Sequence, residues 1–99
     1  MTNYDPQDLQ QKYERWSQLY QQQLEAQQQF LEAEKLFDEL QGYYLNPQWM
    51  VDREQDLPIK HSGEAHSIFS EDALWSMLTD RNELATKWMR LGLDAIDKE

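Results

Sequence analysis

The feature that most constrains this chain is a periodic run of apolar residues from about Asp5 to Tyr44. Apolar and aromatic residues recur there at alternating spacings of three and four, which is the period of one helix face. The positions between them are rich in Gln and Glu, which are good helix formers. The pattern predicts one helix that reaches on the order of 58 Å at about 1.5 Å per residue. The apolar members of the seam are Leu9, Trp16, Leu19, Ala26, Phe30, Ala33, Phe37, Leu40 and Tyr44.

Helix-start signals divide the rest of the chain. Asp5 before Pro6, Asn46 before Pro47, and Ser70 before two acidic residues each offer a capping side chain followed by a favourable first turn. Residues 56–69 keep no sustained period, which is typical of a connecting loop. The predicted elements are a helix at about 5–44, a short helix at about 46–55, a loop at 56–69 and a helix at about 70–97.

The composition favours an all-α fold. Only three Gly and three Pro occur, and almost no run alternates with a period of two, so strands are not expected. Ninety-nine residues allow a single helical domain, 1–99. We therefore predict a helical hairpin or coiled coil in which the long first helix lies antiparallel to the last helix. The last helix carries two adjoining apolar seams, which make a face too wide for one partner helix.

The length difference between the two long helices predicts a dimer surface. A last helix of about 27 residues that folds back antiparallel covers the first helix only to about residue 17 or 18. Leu9, Tyr13 and Trp16 then project beyond the hairpin, with Tyr20 at its edge. We expect these side chains to dock on a second copy, which would complete a symmetric bundle. The alternative is that the first helix bends or frays before Trp16 and the aromatic residues fold back on their own chain.

The charge of the chain narrows the classes of partner. Nineteen acidic and nine basic residues give a net charge of -10, spread along the whole length. Direct nucleic-acid binding and binding to anionic membranes both need clustered Lys and Arg, so neither is expected. Acidity is compatible with plain solubility, with a basic protein partner, or with mimicry of a nucleic-acid surface.

Cysteine is absent, which excludes disulfides, thiolate metal sites and thiol nucleophiles. The first residues contain no basic region followed by an apolar stretch, and nowhere do eighteen apolar residues run together. The expected compartment is therefore the cytoplasm.

Residues that could carry chemistry are few. His61, His66 and Asp72 are weak candidates for a metal site, because loop spacing of this kind fixes no ligand geometry and the preferred interpretation is that they are solvated loop residues. The sequence contains no Gly-rich phosphate loop, nucleophile elbow or His-Glu-x-x-His motif. We expect no enzyme activity, no metal and no cofactor.

From Tyr43 onward the chain resembles a family of small bacterial proteins known as domain of unknown function 4298. The resemblance rests on Tyr43-Tyr44, Trp49, Asp52, Leu57-Pro58, Ser70-Glu71-Asp72-Ala73 and Leu78. The first helix is similar only in being long and amphipathic. One departure is that residues 59–69 replace a shorter basic link that ends in Gly-Val-Leu in the family. The resemblance implies a helical fold and supplies no activity.

The leading functional hypothesis is a non-enzymatic cytosolic helical module for protein–protein interaction. It would use Leu9, Tyr13, Trp16 and Tyr20 for dimerisation and a second surface for another protein. That candidate partner surface consists of Tyr43, Tyr44, Trp49 and Asp52. The alternative is an acidic decoy that occupies a nucleic-acid-binding protein, like an anti-CRISPR protein, an antitoxin or a DNA mimic. A third hypothesis is a loop metalloenzyme that uses His61, His66 and Asp72.

Overall fold

The computed structural model describes residues 3–98. These residues form three α-helices, α1 (Pro6–Tyr44), α2 (Pro47–Glu54) and α3 (Glu71–Asp97), and contain no strand. The predicted fold class is confirmed: the chain is all-α, with a long first helix, a short second helix and a long third helix. Completion of a bundle by dimerisation stays a prediction.

The first helix begins where the sequence predicts a cap. The Asp5 carboxylate accepts a hydrogen bond of 3.1 Å from the backbone N–H of Gln7, and the Asp5 carbonyl accepts one from Leu9 N–H. Asp8 lies in the first turn, where a negative charge is favourable, and its carboxylate lies 2.8 Å from Nζ of Lys12. Helix α1 then continues for 39 residues, which an unbroken run of good helix formers permits.

The short helix α2 is capped by Asn46. Its backbone is extended and its side-chain oxygen accepts a hydrogen bond of 2.9 Å from Gln48 N–H, while Pro47 occupies the first helical position. At the other end, Asp56 has a φ of 52°, so its backbone is left-handed, and its N–H donates to the Arg53 carbonyl. This residue turns the chain out of α2.

Ser70 sets the start of α3. Its hydroxyl accepts a hydrogen bond of 3.1 Å from Asp72 N–H, and both Glu71 and Asp72 lie in the first turn. The helix continues for 27 residues to Asp97. The structure thus places all three predicted caps at the starts of the three helices.

The chain divides into two compact units, residues 1–42 and residues 43–99. The first unit is almost entirely α1, and the second holds the end of α1, α2, the loop and α3. The buried hydrophobic residues among those described are Phe37 in the first unit and Trp49 in the second. The prediction of a single domain over 1–99 stays a prediction.

Candidate functional site

The first candidate site is a row of exposed side chains on the amino-terminal part of α1. Leu9, Tyr13, Trp16 and Tyr20 follow one another at spacings of four, three and four residues, so they share one helix face. We call these four residues the α1 row. Tyr13 is 62% exposed and Trp16 is 60% exposed. The structure therefore presents the predicted dimer residues to solvent.

Two members of the α1 row are ordered against each other. The rings of Trp16 and Tyr20 are stacked, with centroids 5.4 Å apart and an interplanar angle of 5°. Contact between side chains four residues apart fixes their rotamers along the helix. Trp16 and Tyr20 therefore form a stacked aromatic pair on the surface of α1.

The second candidate site is the cluster at the junction of α1 and α2. We call Tyr43, Tyr44, Trp49 and Asp52 the Trp49 cluster. The Tyr43 hydroxyl donates a hydrogen bond of 2.8 Å to Oδ2 of Asp52, and Nε2 of Gln48 donates to the same oxygen at 3.2 Å. Asp52 lies in α2 and Tyr43 in the last turn of α1, so this carboxylate ties the two helical segments together.

Trp49 is the centre of this cluster. It is 8% exposed, and its indole Nε1–H donates a hydrogen bond of 2.9 Å to the backbone carbonyl of Ile68. The Tyr44 ring meets the Trp49 ring edge to face, with centroids 5.5 Å apart. The Arg53 guanidinium lies 5.3 Å from the centroid of the Trp49 ring on which it packs, a cation–π contact. Trp49 is thus packed mainly against its own chain, and its predicted contact with a partner stays a prediction.

Arg53 also connects α2 to the start of α3. Its Nη1 lies 3.0 Å from Oε1 of Glu71, in the first turn of α3. The Glu71 side chain is largely exposed, so this ion pair contributes little to stability by itself. Its effect is to hold Arg53 in place beside Trp49.

The cluster shifts the titration of two tyrosines. Burial raises the pKa of Tyr43 above its ordinary value of 10.0, and the hydrogen bond to Asp52 and the charges of Asp52 and Tyr44 add to the increase. Burial alone raises the pKa of Tyr44. Both hydroxyls therefore stay protonated at neutral pH, and Tyr43 acts as a donor that holds the Asp52 carboxylate.

The loop residues considered as metal ligands do not converge. Nδ1 of His61 accepts a hydrogen bond of 3.2 Å from Gly63 N–H, and His66 is exposed. Asp72 lies in the first turn of α3. Across residues 3–98, no three His, Asp or Glu side chains are grouped closely enough to hold a metal ion.

Several residues of these sites were not found from the sequence. The Ile68 carbonyl and the Glu71 carboxylate reach α2 from 19 and 18 residues away. The sequence gives no indication that these groups bond to Trp49 and Arg53, because the loop that connects α2 to α3 has no hydrophobic period. The exposed apolar end of α3 was indicated by its two seams, and its large exposed members are Leu84, Trp88, Met89, Leu91, Leu93 and Ile96.

None of the helices within residues 3–98 combines the length and the apolar character that a transmembrane segment needs.

Comparison with known proteins places the chain in one family. The family model described as "Domain of unknown function (DUF4298)" matches residues 7–91. The match includes α1 from its first turn, whereas the resemblance seen in the sequence rested on the part after Tyr43. A search of the curated proteins and a search of the solved structures found no match. Because the family model covers most of its length, the chain belongs to the DUF4298 family.

Proposed function

We propose that the chain is a non-catalytic, cytosolic helical module that binds another protein through the α1 row. The observation that carries this proposal is the stacked and solvent-exposed pair of Trp16 and Tyr20, flanked by exposed Tyr13. Contiguous exposed aromatic side chains on one helix face are typical of protein interfaces.

The physical chemistry of the α1 row supports this role. Burying a large apolar side chain contributes about 1.5–3 kcal/mol relative to leaving it exposed. Stacking of Trp16 on Tyr20 already restricts their rotamers, so less conformational entropy is lost when a partner covers them. Trp and Tyr are also enriched among the residues that dominate binding energy.

The Trp49 cluster supports the module without forming the contact surface. The Tyr43 hydroxyl and the Asp52 carboxylate bond to each other, and Trp49 bonds to the Ile68 carbonyl. These hydrogen bonds connect α2 to the end of α1 and to the loop that precedes α3. We propose that the cluster positions the neighbouring surface, where Met50 and Val51 are exposed, for the partner.

The proposal is tested by photo-crosslinking in living cells. A photo-reactive phenylalanine analogue is placed at position 16, and in a control chain at position 11, which lies on the opposite face of α1. We expect light-dependent adducts with protein from position 16 and few from position 11. Equal yields from the two positions, or none from either, would contradict the proposal.

An acidic decoy of a nucleic-acid-binding surface is the alternative function. It requires carboxylates spaced like the phosphates of a duplex, about 7 Å apart by extension from the charge density of DNA. Glu25, Glu32 and Glu39 are exposed and share one side of α1. Their spacing of seven residues corresponds to about 10.5 Å along the helix axis. This wider spacing favours the interaction module over the decoy.

A further inference from the structure

The carboxyl-terminal half of α3 carries a second exposed apolar face. Ala85, Met89, Gly92 and Ile96 follow one another at spacings of four, three and four residues and lie on one side of the helix. We call these residues the α3 stripe. Met89 is 69% exposed and Ile96 is 81% exposed. Apolar side chains of this size at such exposure favour burial against another surface.

Gly92 is the unexplained member of the α3 stripe. It lies within a helix of 27 residues, where glycine is a poorer helix former than alanine. A Cβ built at Gly92 would meet no atom within 4 Å, so the packing of the chain does not require glycine there. The absence of a side chain leaves room at this point for the backbone of a second molecule.

The α1 row and the α3 stripe have the same residue spacing and side chains of complementary size. Both follow the same pattern of four, three and four residues, which is the spacing that lets two helices interdigitate. The row presents bulky rings, whereas the stripe contains two of the smallest residues, Ala85 and Gly92. Large side chains on one helix therefore fit the gaps on the other.

The distribution of charge along the chain indicates that a second copy of this chain supplies the helix that packs on each of these two faces. Residues 6–24 contain two acidic and two basic residues, and residues 84–98 contain two acidic and three basic residues. Residues 25–83 contain thirteen acidic and four basic residues, a net charge of -9. Two copies would repel each other through their middle segments, but the segments that hold the row and the stripe are close to neutral.

We infer that the α1 row of one copy packs on the α3 stripe of a second copy, and that the chain acts as a homodimer. This inference rests on the proposed function and names its partner. A two-fold symmetric arrangement uses each contact twice, once from each copy. The pairing covers both exposed faces with one interface.

The mass of the full chain in solution tests the dimer. Light scattering after size exclusion should give about 24 kDa, twice the 12.0 kDa of one copy.

Trp16→Ala and Gly92→Leu should each weaken dimerisation about tenfold or more, since the first removes a ring from the α1 row and the second fills the space at Gly92 in the α3 stripe. Trp75→Ala is the control, because Trp75 is exposed and lies outside both segments; it should change the dissociation constant by less than about twofold.

Cysteine trapping tests which faces meet. The chain has no Cys, so every disulfide comes from the introduced residues. Tyr13 faces Gly92 if the two helices run antiparallel, and Trp16 faces it if they run parallel. Gly92→Cys mixed with Tyr13→Cys or with Trp16→Cys should therefore give a mixed disulfide dimer in one of the two pairs, which needs Cα atoms within about 7 Å. Gln11→Cys, on the opposite face of α1, should not trap Gly92→Cys.

The outcomes separate this inference from the proposed function. A chain that is monomeric in solution but still gives photo-adducts with other proteins at position 16 would overturn the homodimer and leave the interaction module standing. A monomeric chain without adducts would overturn both. A dimer that Trp16→Ala and Gly92→Leu leave unchanged, or that traps only through Gln11→Cys, would overturn the interface assigned here.

Discussion

The Tyr43 hydroxyl lies 2.8 Å from Oδ2 of Asp52 and donates a hydrogen bond to it. Only two residues separate α1 from α2, and Asn46 caps the second helix. The bond therefore closes a tight corner between the last turn of α1 and the middle of α2. Because the same carboxylate oxygen also accepts from Gln48, Asp52 is the organising group of this corner.

We expect Tyr43→Phe to lower the midpoint of thermal unfolding by a few degrees at most, because it removes the hydrogen bond and keeps the ring. Circular dichroism at 222 nm measures this change. Tyr44→Phe is the matched control, since the Tyr44 ring keeps its edge contact with Trp49. The prediction fails if the two variants lose the same stability.

The double variant Asp52→Asn with Tyr43→Phe should lose less free energy of unfolding than the sum of the two single variants, because both changes remove the same interaction.

The raised tyrosine pKa values predict a loss of stability in alkali. The pKa of Tyr43 is raised above 10.0 by burial first and by Asp52 second, so the folded chain holds this proton more tightly than the unfolded chain does. The resulting stabilisation is complete below pH 10 and is lost as the pH rises through the raised pKa. Urea unfolding at pH 9 and at pH 11 should show a smaller loss in Tyr43→Phe than in the wild type. If the wild type and Tyr43→Phe lose the same free energy of unfolding between pH 9 and pH 11, the titration of Tyr43 does not cause the loss.

Trp49 is expected to be the most sensitive position in residues 43–98. Trp49→Ala removes a nearly buried ring and should lower the free energy of unfolding by about 3–5 kcal/mol. Trp49→Phe keeps an aromatic ring but leaves the Ile68 carbonyl without its donor, so a loss of about 1–3 kcal/mol is expected.

Urea titration followed by circular dichroism measures both Trp49 variants. Trp75→Ala serves as the comparison, because this ring is exposed and its removal should change stability by less than about 0.5 kcal/mol. A larger effect at Trp75 than at Trp49 would show that the Trp49 cluster is not the main packing centre of this unit.

The helices were predictable because their signals are local. Asp5, Asn46 and Ser70 each precede a helix and bond to its first turn, and these effects depend on residues two or three positions apart. The sequence also predicted that Tyr13 and Trp16 would be exposed, and both side chains are exposed in the structure.

The role of Trp49 was not predictable in the same way. A lone Trp on a short helix indicates equally a partner surface or a packing centre, and the choice depends on whether another segment covers it. The Ile68 carbonyl that receives its N–H belongs to a loop without hydrophobic period, 19 residues away. Loop conformation of this kind is set by tertiary contacts, which sequence spacing does not encode.

Asp56 provides a last prediction, because its backbone is left-handed with a φ of 52° at the end of α2. Residues with a Cβ are strained in this conformation, and glycine is not. Asp56→Gly should therefore raise the free energy of unfolding by about 0.5–1 kcal/mol, whereas Asp56→Ala, which removes the same charge, should lower it. Urea unfolding of both variants decides the matter. If Asp56→Ala stabilises the chain as much as Asp56→Gly does, the gain comes from removing a negative charge and not from the backbone.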